Sequence, residues 1–243
     1  MTLPCTKCDL RGKAVFRPLT DRELADVAHL KGSEVSLPAK CDIVPSERIG
    51  DAPCTLKAGW AFSYRSLPNG TRQILDFLLP GDTMGLQKAL TGGTQHRVHS
   101  LTPVTVCVLN GMPLPAFLDG HPEMCSALNR KLLLEQRRAD ERLTALGRLT
   151  APQRIGYLML DIFDRLRRLG LGDGAWVHFP LQRQHIADAL GLSGTHVNRS
   201  LIELRERELV SLGNNVLFIH DREALEGFCC YVPLEIRDCV LLL

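Results

Sequence analysis

Nowhere in its 243 residues does the chain carry the uninterrupted apolar run of roughly 18 to 20 residues that a membrane span requires. The opening segment, MTLPCTKCDLRGK, likewise lacks the apolar stretch of a secretion signal, so a cytoplasmic location and no membrane partner are expected. Charge of one sign is also scarce: 29 Lys and Arg face 27 Asp and Glu, a net charge of +2. That balance neither demands nor excludes nucleic acid, because recognition depends on where the basic groups sit. No nucleophile–base pairing stands out along the chain, and an enzyme is not expected. The 45% hydrophobic content can still fill a sizeable core, in one large domain or two small ones.

Cysteine, by contrast, is plentiful. Nine is many for a compartment that disfavours disulfides, and an odd count argues against a complete disulfide framework. The thiols are then left for packing, redox chemistry or metal binding.

The pattern changes twice along the chain. Val35 to Leu109 reads as short β-segments: WAFSYRSL, a Pro68-Asn69-Gly70 turn, RQILDFLL, and a β-branched run VHSLTPVTVCVL broken at Pro103. Asn-Gly between alternating apolar runs signals a hairpin, and many short strands suggest a sandwich or small barrel. After Pro122 the periodicity becomes helical. Leu128, Leu132, Ala139, Leu143 and Leu146 fall on one narrow stripe of a helix about 25 residues long. Such a stripe serves either packing on the helix's own domain or a seam between two copies, and its length and thinness favour the seam. A second helix follows in PQRIGYLMLDIFDRLRRLG, then a short strand in LGDGAWVHF.

The segment PLQRQHIADALGLSGTHVNRSLIELRERELV has a helix-turn-helix layout. A first helix from Gln182 to Leu190 buries Ile186 and Leu190, and Gly191 supplies the left-handed turn. Ser193 caps a second helix that runs from Gly194 to about Arg207 and buries Val197, Leu201 and Leu204. Its first turns expose Thr195, His196, Asn198 and Arg199. Recognition helices present these positions to base edges in the major groove, where arginine pairs with guanine and asparagine with adenine. Gln182 and Arg183 are placed near the phosphate backbone, and Ser193 is counted with them among the DNA-binding residues. The following LVSLGNNVLFIHD reads as a hairpin turning at Gly213-Asn214-Asn215, a "wing". An ordinary helical hairpin in a core is the bland alternative, and it would need turn glycine, cap and exposed Asn-Arg to coincide.

This order of parts resembles the CRP/FNR family of bacterial transcription regulators, with LLPGDTMGL and HIADALGLSGTHVNRSLIELR as the most specific pieces. The resemblance implies an α+β fold with a β-roll of the cyclic-nucleotide-binding type, a dimerisation helix and a winged helix-turn-helix. It also implies a homodimer on palindromic double-stranded DNA, with RNA polymerase as a partner. The divisions expected are a cysteine-bearing arm at 1–15, a β-roll at 16–120, a dimer helix at 121–147, a DNA-binding domain at 148–228 and an apolar tail at 229–243. Where cyclic-AMP-binding members carry a glutamate this chain has Leu86, and their Arg-Ser pair is replaced by His96-Arg97. Cyclic AMP is therefore not the expected ligand.

Cys5 and Cys8 form a CxxC in the arm, and Cys107 lies in the last strand of the β-domain. This layout is similar to the oxygen-sensing FNR branch, whose cysteines hold a 4Fe–4S cluster, a fit for soft thiolate donors. The resemblance implies Cys5, Cys8 and Cys107 as ligands, with Asp9, Cys41 or Cys54 as candidates for the fourth. A zinc clip, a simple thiol switch or no cofactor at all are the alternatives, and a small-molecule effector in the β-roll is another form of control. Cys125, Cys229, Cys230 and Cys239 read as packing residues. The apolar tail FCCYVPLEIRDCVLLL is expected to dock on another surface, such as that of the partner subunit.

Overall fold

The computed structural model describes residues 4–44, 49–93 and 96–234. The described chain divides into two compact units, one built from residues 4–65 and 75–133, the other from 66–74 and 134–234. Cys239 and the tail beyond Leu234 lie outside the described residues.

The first unit is a pair of four-stranded antiparallel sheets. One has strand order β1 (Ser33–Leu37), β8 (Val104–Val108), β3 (Cys54–Ala58) and β6 (Thr83–Met84). The other has β2 (Asp42–Val44), β7 (Arg97–Ser100), β4 (Ala61–Ser66) and β5 (Arg72–Leu78), the last running on from the second unit's 66–74 segment. Alternation along the strands sends Ile43, Leu56, Ala61, Val98 and Val106 into a shared core. Each Val, Leu or Ile among them contributes about 1.5 to 3 kcal/mol on burial, and Ala61 less. The Pro68–Gly70 turn is present: Leu67 N–H donates to Thr71 O (2.8 Å), and Thr71 N–H donates to Asn69 Oδ1 (3.0 Å).

A second apolar cluster joins the helices of this unit. It gathers Val27 and Leu30 of α1 (Asp21–Leu30), Leu86 of α2 (Leu86–Thr91), Leu114 and Phe117 of α3 (Leu114–Gly120), and Met124, Ala127 and Leu128 of α4 (Pro122–Arg148). Leu86 is thus spent on packing and offers no acceptor to a ligand hydroxyl. The N-terminal arm is folded rather than a plain polar tail. Two short 3₁₀ turns (Cys5–Lys7 and Asp9–Gly12) bury Cys5 and Leu10, and Phe16 is buried beyond them. Gly81 has φ 96°, and a Cβ there would lie 2.3 Å from Phe16 Cζ, so only glycine lets the ring pack on this turn.

The long helix is shared between the units, residues up to 133 with the first and from 134 with the second. The sequence reading instead treats 121–147 as one separate element. In the second unit, α5 (Ala151–Arg168) starts with a capping box between Thr150 and Gln153 and with Pro152 in its first turn. Arg138 of α4 donates to Asp161 of α5 through Nε (3.4 Å) and Nη2 (3.3 Å), a pair almost wholly buried. A second small sheet has the order β11 (Val210–Gly213), β12 (Val216–Ile219), β10 (Trp176–His178) and β9 (Gly172–Asp173), and α8 (Arg222–Cys229) follows it.

Candidate DNA interface and buried thiols

The helix-turn-helix consists of α6 (Arg183–Leu190) and α7 (Gly194–Glu206). Gln182 caps α6, its N–H donating to His185 Nδ1 (3.0 Å), which makes that ring nitrogen an acceptor. Gly191 ends the helix at φ 63°, the left-handed conformation that the turn needs. Ser193 Oγ then accepts from His196 N–H at 3.3 Å and satisfies one orphan donor of α7. Ile186, Ala187 and Leu190 of α6 pack with Val197, Ser200 and Leu204 of α7 inside the unit. The sequence reading also places Leu201 in the core. It is only partly buried, and Ser200 takes the inward position instead.

Thr195, His196, Asn198 and Arg199 are all exposed, as are Gln182, Arg183 and Ser193. From Gly191 to Leu201 the sequence contains no carboxylate, so the leading end of α7 carries a cation and hydrogen-bonding groups with no anion nearby in sequence. The wing follows: β11 and β12 pair from Gly213↔Val216 outward, around Asn214 and Asn215 at φ 50° and 59°. Positive φ at two successive residues is the geometry of a type I′ hairpin, and asparagine tolerates it better than most residues. A capped helix with an exposed Asn-Arg face beside a hairpin can enter a major groove and touch flanking phosphates.

The thiols sit in the first unit. Cys107 stands opposite Glu34 of β1 and Thr55 of β3 in one cross-strand row. Glu34 accepts from Lys57 Nζ (2.9 Å) and Lys31 Nζ (3.3 Å). Burial pushes the Cys107 thiol up to about 11, against the pull of the Lys31 and Lys57 ammonium groups, and Cys8 is near enough to add to the rise. Cys54, on the opposite face of β3, lies in the inter-sheet core and is pushed up to about 12 by burial. Cys41 Sγ is held at Pro38 O (3.2 Å), and Asp9 is exposed. Among the described residues, no three His, Cys, Asp or Glu side chains converge as a metal site would require. Cys5, Cys8 and Cys107, with any of the fourth candidates, therefore do not form a ligand set in this arrangement. Cys229 is buried as expected for packing, Cys125 partly so, but Cys230 is exposed.

The proposed seam is also divided. Leu128 belongs to the core of its own unit, which removes it from any surface seam. Leu132 and Leu146 are partly buried, and Ala139 and Leu143 are exposed, Leu143 by 70%. Leu133, which the stripe omits, is 64% exposed. Its signal lies in the same helix, one residue beyond Leu132, and shows only once the covered face is known. None of the helices among the described residues is long and apolar enough to cross a membrane.

Comparison with known proteins agrees with these parts. Residues 153–228 match the Crp-like helix-turn-helix domain, and residues 34–121 match the cyclic nucleotide-binding domain. The chain is 29% identical to the nitrogen fixation regulation protein FixK of Bradyrhizobium diazoefficiens over 92% of each chain. It is 31% identical to the transcriptional activatory protein AadR of Rhodopseudomonas palustris over 84% of each chain. The solved structure of FixK2 from Bradyrhizobium japonicum shares the fold with a TM-score of 0.70 at 23% identity, over 83% of this chain and 98% of that one. With a β-roll, a long helix and a winged helix-turn-helix in that order, and with relatives matched along most of its length, the chain belongs to the CRP/FNR family of transcription regulators.

Proposed function

We propose that the protein acts as a homodimer that binds a two-fold-symmetric DNA site and switches with oxygen or redox state. The observation that carries the DNA reading is the exposed Thr195, His196, Asn198 and Arg199 face on a helix capped by Ser193. Arg199 reads guanine and Asn198 adenine, while Gln182, Arg183 and Ser193 hold phosphates. The exposed Leu133 and Leu143 on α4 are the surface offered to a second copy. Selection from a random duplex pool tests this reading. A palindrome with half-sites about one helical turn apart is expected, and enrichment of no symmetric sequence would overturn it.

The redox input is assigned to the thiols themselves. Cys8 of the arm is near enough to Cys107 to act on it electrostatically, and oxidation by a peroxide is proposed to join the two sulfurs. Each thiol gives up a proton and together they give up two electrons, reducing hydrogen peroxide to two waters. A 4Fe–4S cluster does not fit the arrangement of these thiols among the described residues. DNA affinity measured before and after peroxide, in the wild type and in Cys8→Ser, decides the matter. The wild type should change and Cys8→Ser should not; equal responses sink the thiol route. Iron and sulfide in protein purified without air would restore the cluster in its place.

A further inference from the structure

Beside the DNA face, the second half of α7 and the wing enclose a cleft of about 360 Å³, within the size range of small-molecule sites. Its lining is mixed, with the amides of Gln182, Asn198, Asn214 and Asn215 set among apolar residues that include Val210 and Leu212. Phe179 and Leu181 are buried beneath it, and Leu201 and Ile202 of α7 line it from one side, Ile202 being 39% exposed. Arg183 and Arg205 border it, and no Asp or Glu lines it. Neither guanidinium has an ion-pair partner among the described residues, although Arg207, two residues further along, is paired with Glu203.

These features select the occupant. A DNA phosphate would be served by the two arginines and the amides but would gain nothing from the six apolar side chains, since it needs donors and water. A neutral apolar molecule would leave both cations unused. An organic anion with an apolar body satisfies both halves, its carboxylate or sulfonate on the guanidiniums and its ring or chain against the apolar side chains. We propose that this cleft binds such a molecule, of the aromatic or short-chain carboxylate class. Arg183 and Asn198 line the cleft and also belong to the proposed DNA face, so occupancy competes with DNA. The competition rests on the DNA reading above; the binding does not.

The test uses the full chain and the fluorescent probe 1-anilinonaphthalene-8-sulfonate. Saturable binding is expected, weakened about tenfold or more by Arg205→Glu and by Ile202→Asp. Both positions are exposed, so folding is preserved, and an unchanged urea midpoint checks this. Val232→Asp, which alters an exposed apolar residue elsewhere, should leave probe binding unchanged. Benzoate should displace the probe while benzamide does not. Wild-type affinity in both cleft variants, or equal displacement by benzamide, overturns the proposal. A selected duplex should expel the probe, and simultaneous binding would overturn the competition. Should no duplex bind at all, the DNA reading fails, and the two cleft variants still decide the site.

Discussion

Arg222 donates to Asp164 through Nη1 (2.7 Å) and Nη2 (3.1 Å), fastening the first turn of α8 to the C-terminal part of α5. Tyr231 Oη, just past the end of the same helix, donates to Asp164 Oδ2 at 3.0 Å. One carboxylate with a 7% exposed side chain therefore anchors both ends of α8. Burial and the adjacent Asp164 charge push the Tyr231 phenol pKa well above its usual range, so it remains a donor at any working pH.

Asp164→Ala should cost the chain about 1 to 3 kcal/mol in urea unfolding, less than a fully buried pair because Arg222 can return to water. Tyr231→Phe, which removes one hydrogen bond and keeps the ring on Tyr157, should cost about 1 kcal/mol. Equal stability of Asp164→Ala and wild type would show that the anchor is dispensable.

How much of this was readable in advance depends on how local each signal is. The helix-turn-helix was legible because Gly191, Ser193 and the spacing of Ile186, Leu190, Val197 and Leu204 act within a few residues of one another. The Asn214-Asn215 turn was legible for the same reason. The fate of the α4 stripe was not. Leu128 and Leu143 share one periodicity, yet Leu128 is covered by the unit's own core and Leu143 is exposed, and periodicity does not name the neighbour. The folding of the arm was not legible, because Cys5, Leu10 and Phe16 are isolated in a polar segment. Their burial depends on surfaces formed far along the chain, such as the Gly81 turn. The cleft at Arg205 needed a helix and a hairpin brought together.

Acid should act on α1. Glu23 closes a capping box with Thr20 and accepts from Arg17 Nη1 at 3.1 Å. The Arg17 hydrogen bond, opposed by burial and aided by Thr20, holds its carboxyl at about 2, against an ordinary value of 4.5. A depressed folded-state pKa stabilises the fold fully above about pH 4.5, and that stability drains away as pH falls toward 2. Urea midpoints should therefore drop more between pH 5 and pH 3 in the wild type than in Glu23→Gln. Parallel slopes would remove Glu23 from the account.

At the DNA face, Arg199→Ala should lose about 1 to 3 kcal/mol on a selected site and relax the base preference at one position of each half-site. Arg183→Ala should weaken all sequences alike and lower the slope of log affinity against log salt by about one. Gel-shift titrations across a salt series separate the two. A sequence-dependent loss at Arg183 would exchange their roles.

The exposed leucines of α4 predict the assembly. Leu143→Asp, alone or with Leu133→Asp, should shift sedimentation from dimer to monomer while leaving the urea midpoint of the monomer unchanged, because neither side chain is buried within the chain. Affinity for a full palindrome should then fall toward that for a half-site. A dimer that survives both substitutions would place the interface elsewhere.

The order in which the thiols react offers a last check, because thiolate fraction and exposure act in the same direction. Cys54 and Cys107 are buried with thiols pushed up to about 12 and 11, so almost none of either is ionised at neutral pH. Cys229 is likewise buried and pushed up to about 12, with its neighbour Cys230 adding to the rise. Cys230 itself is exposed at the end of α8. Brief treatment of the folded chain with iodoacetamide, followed by peptide mass spectrometry, should label Cys230 well before those three. Urea should abolish the difference. Early labelling of Cys107 in the folded protein would mean that its strand opens readily.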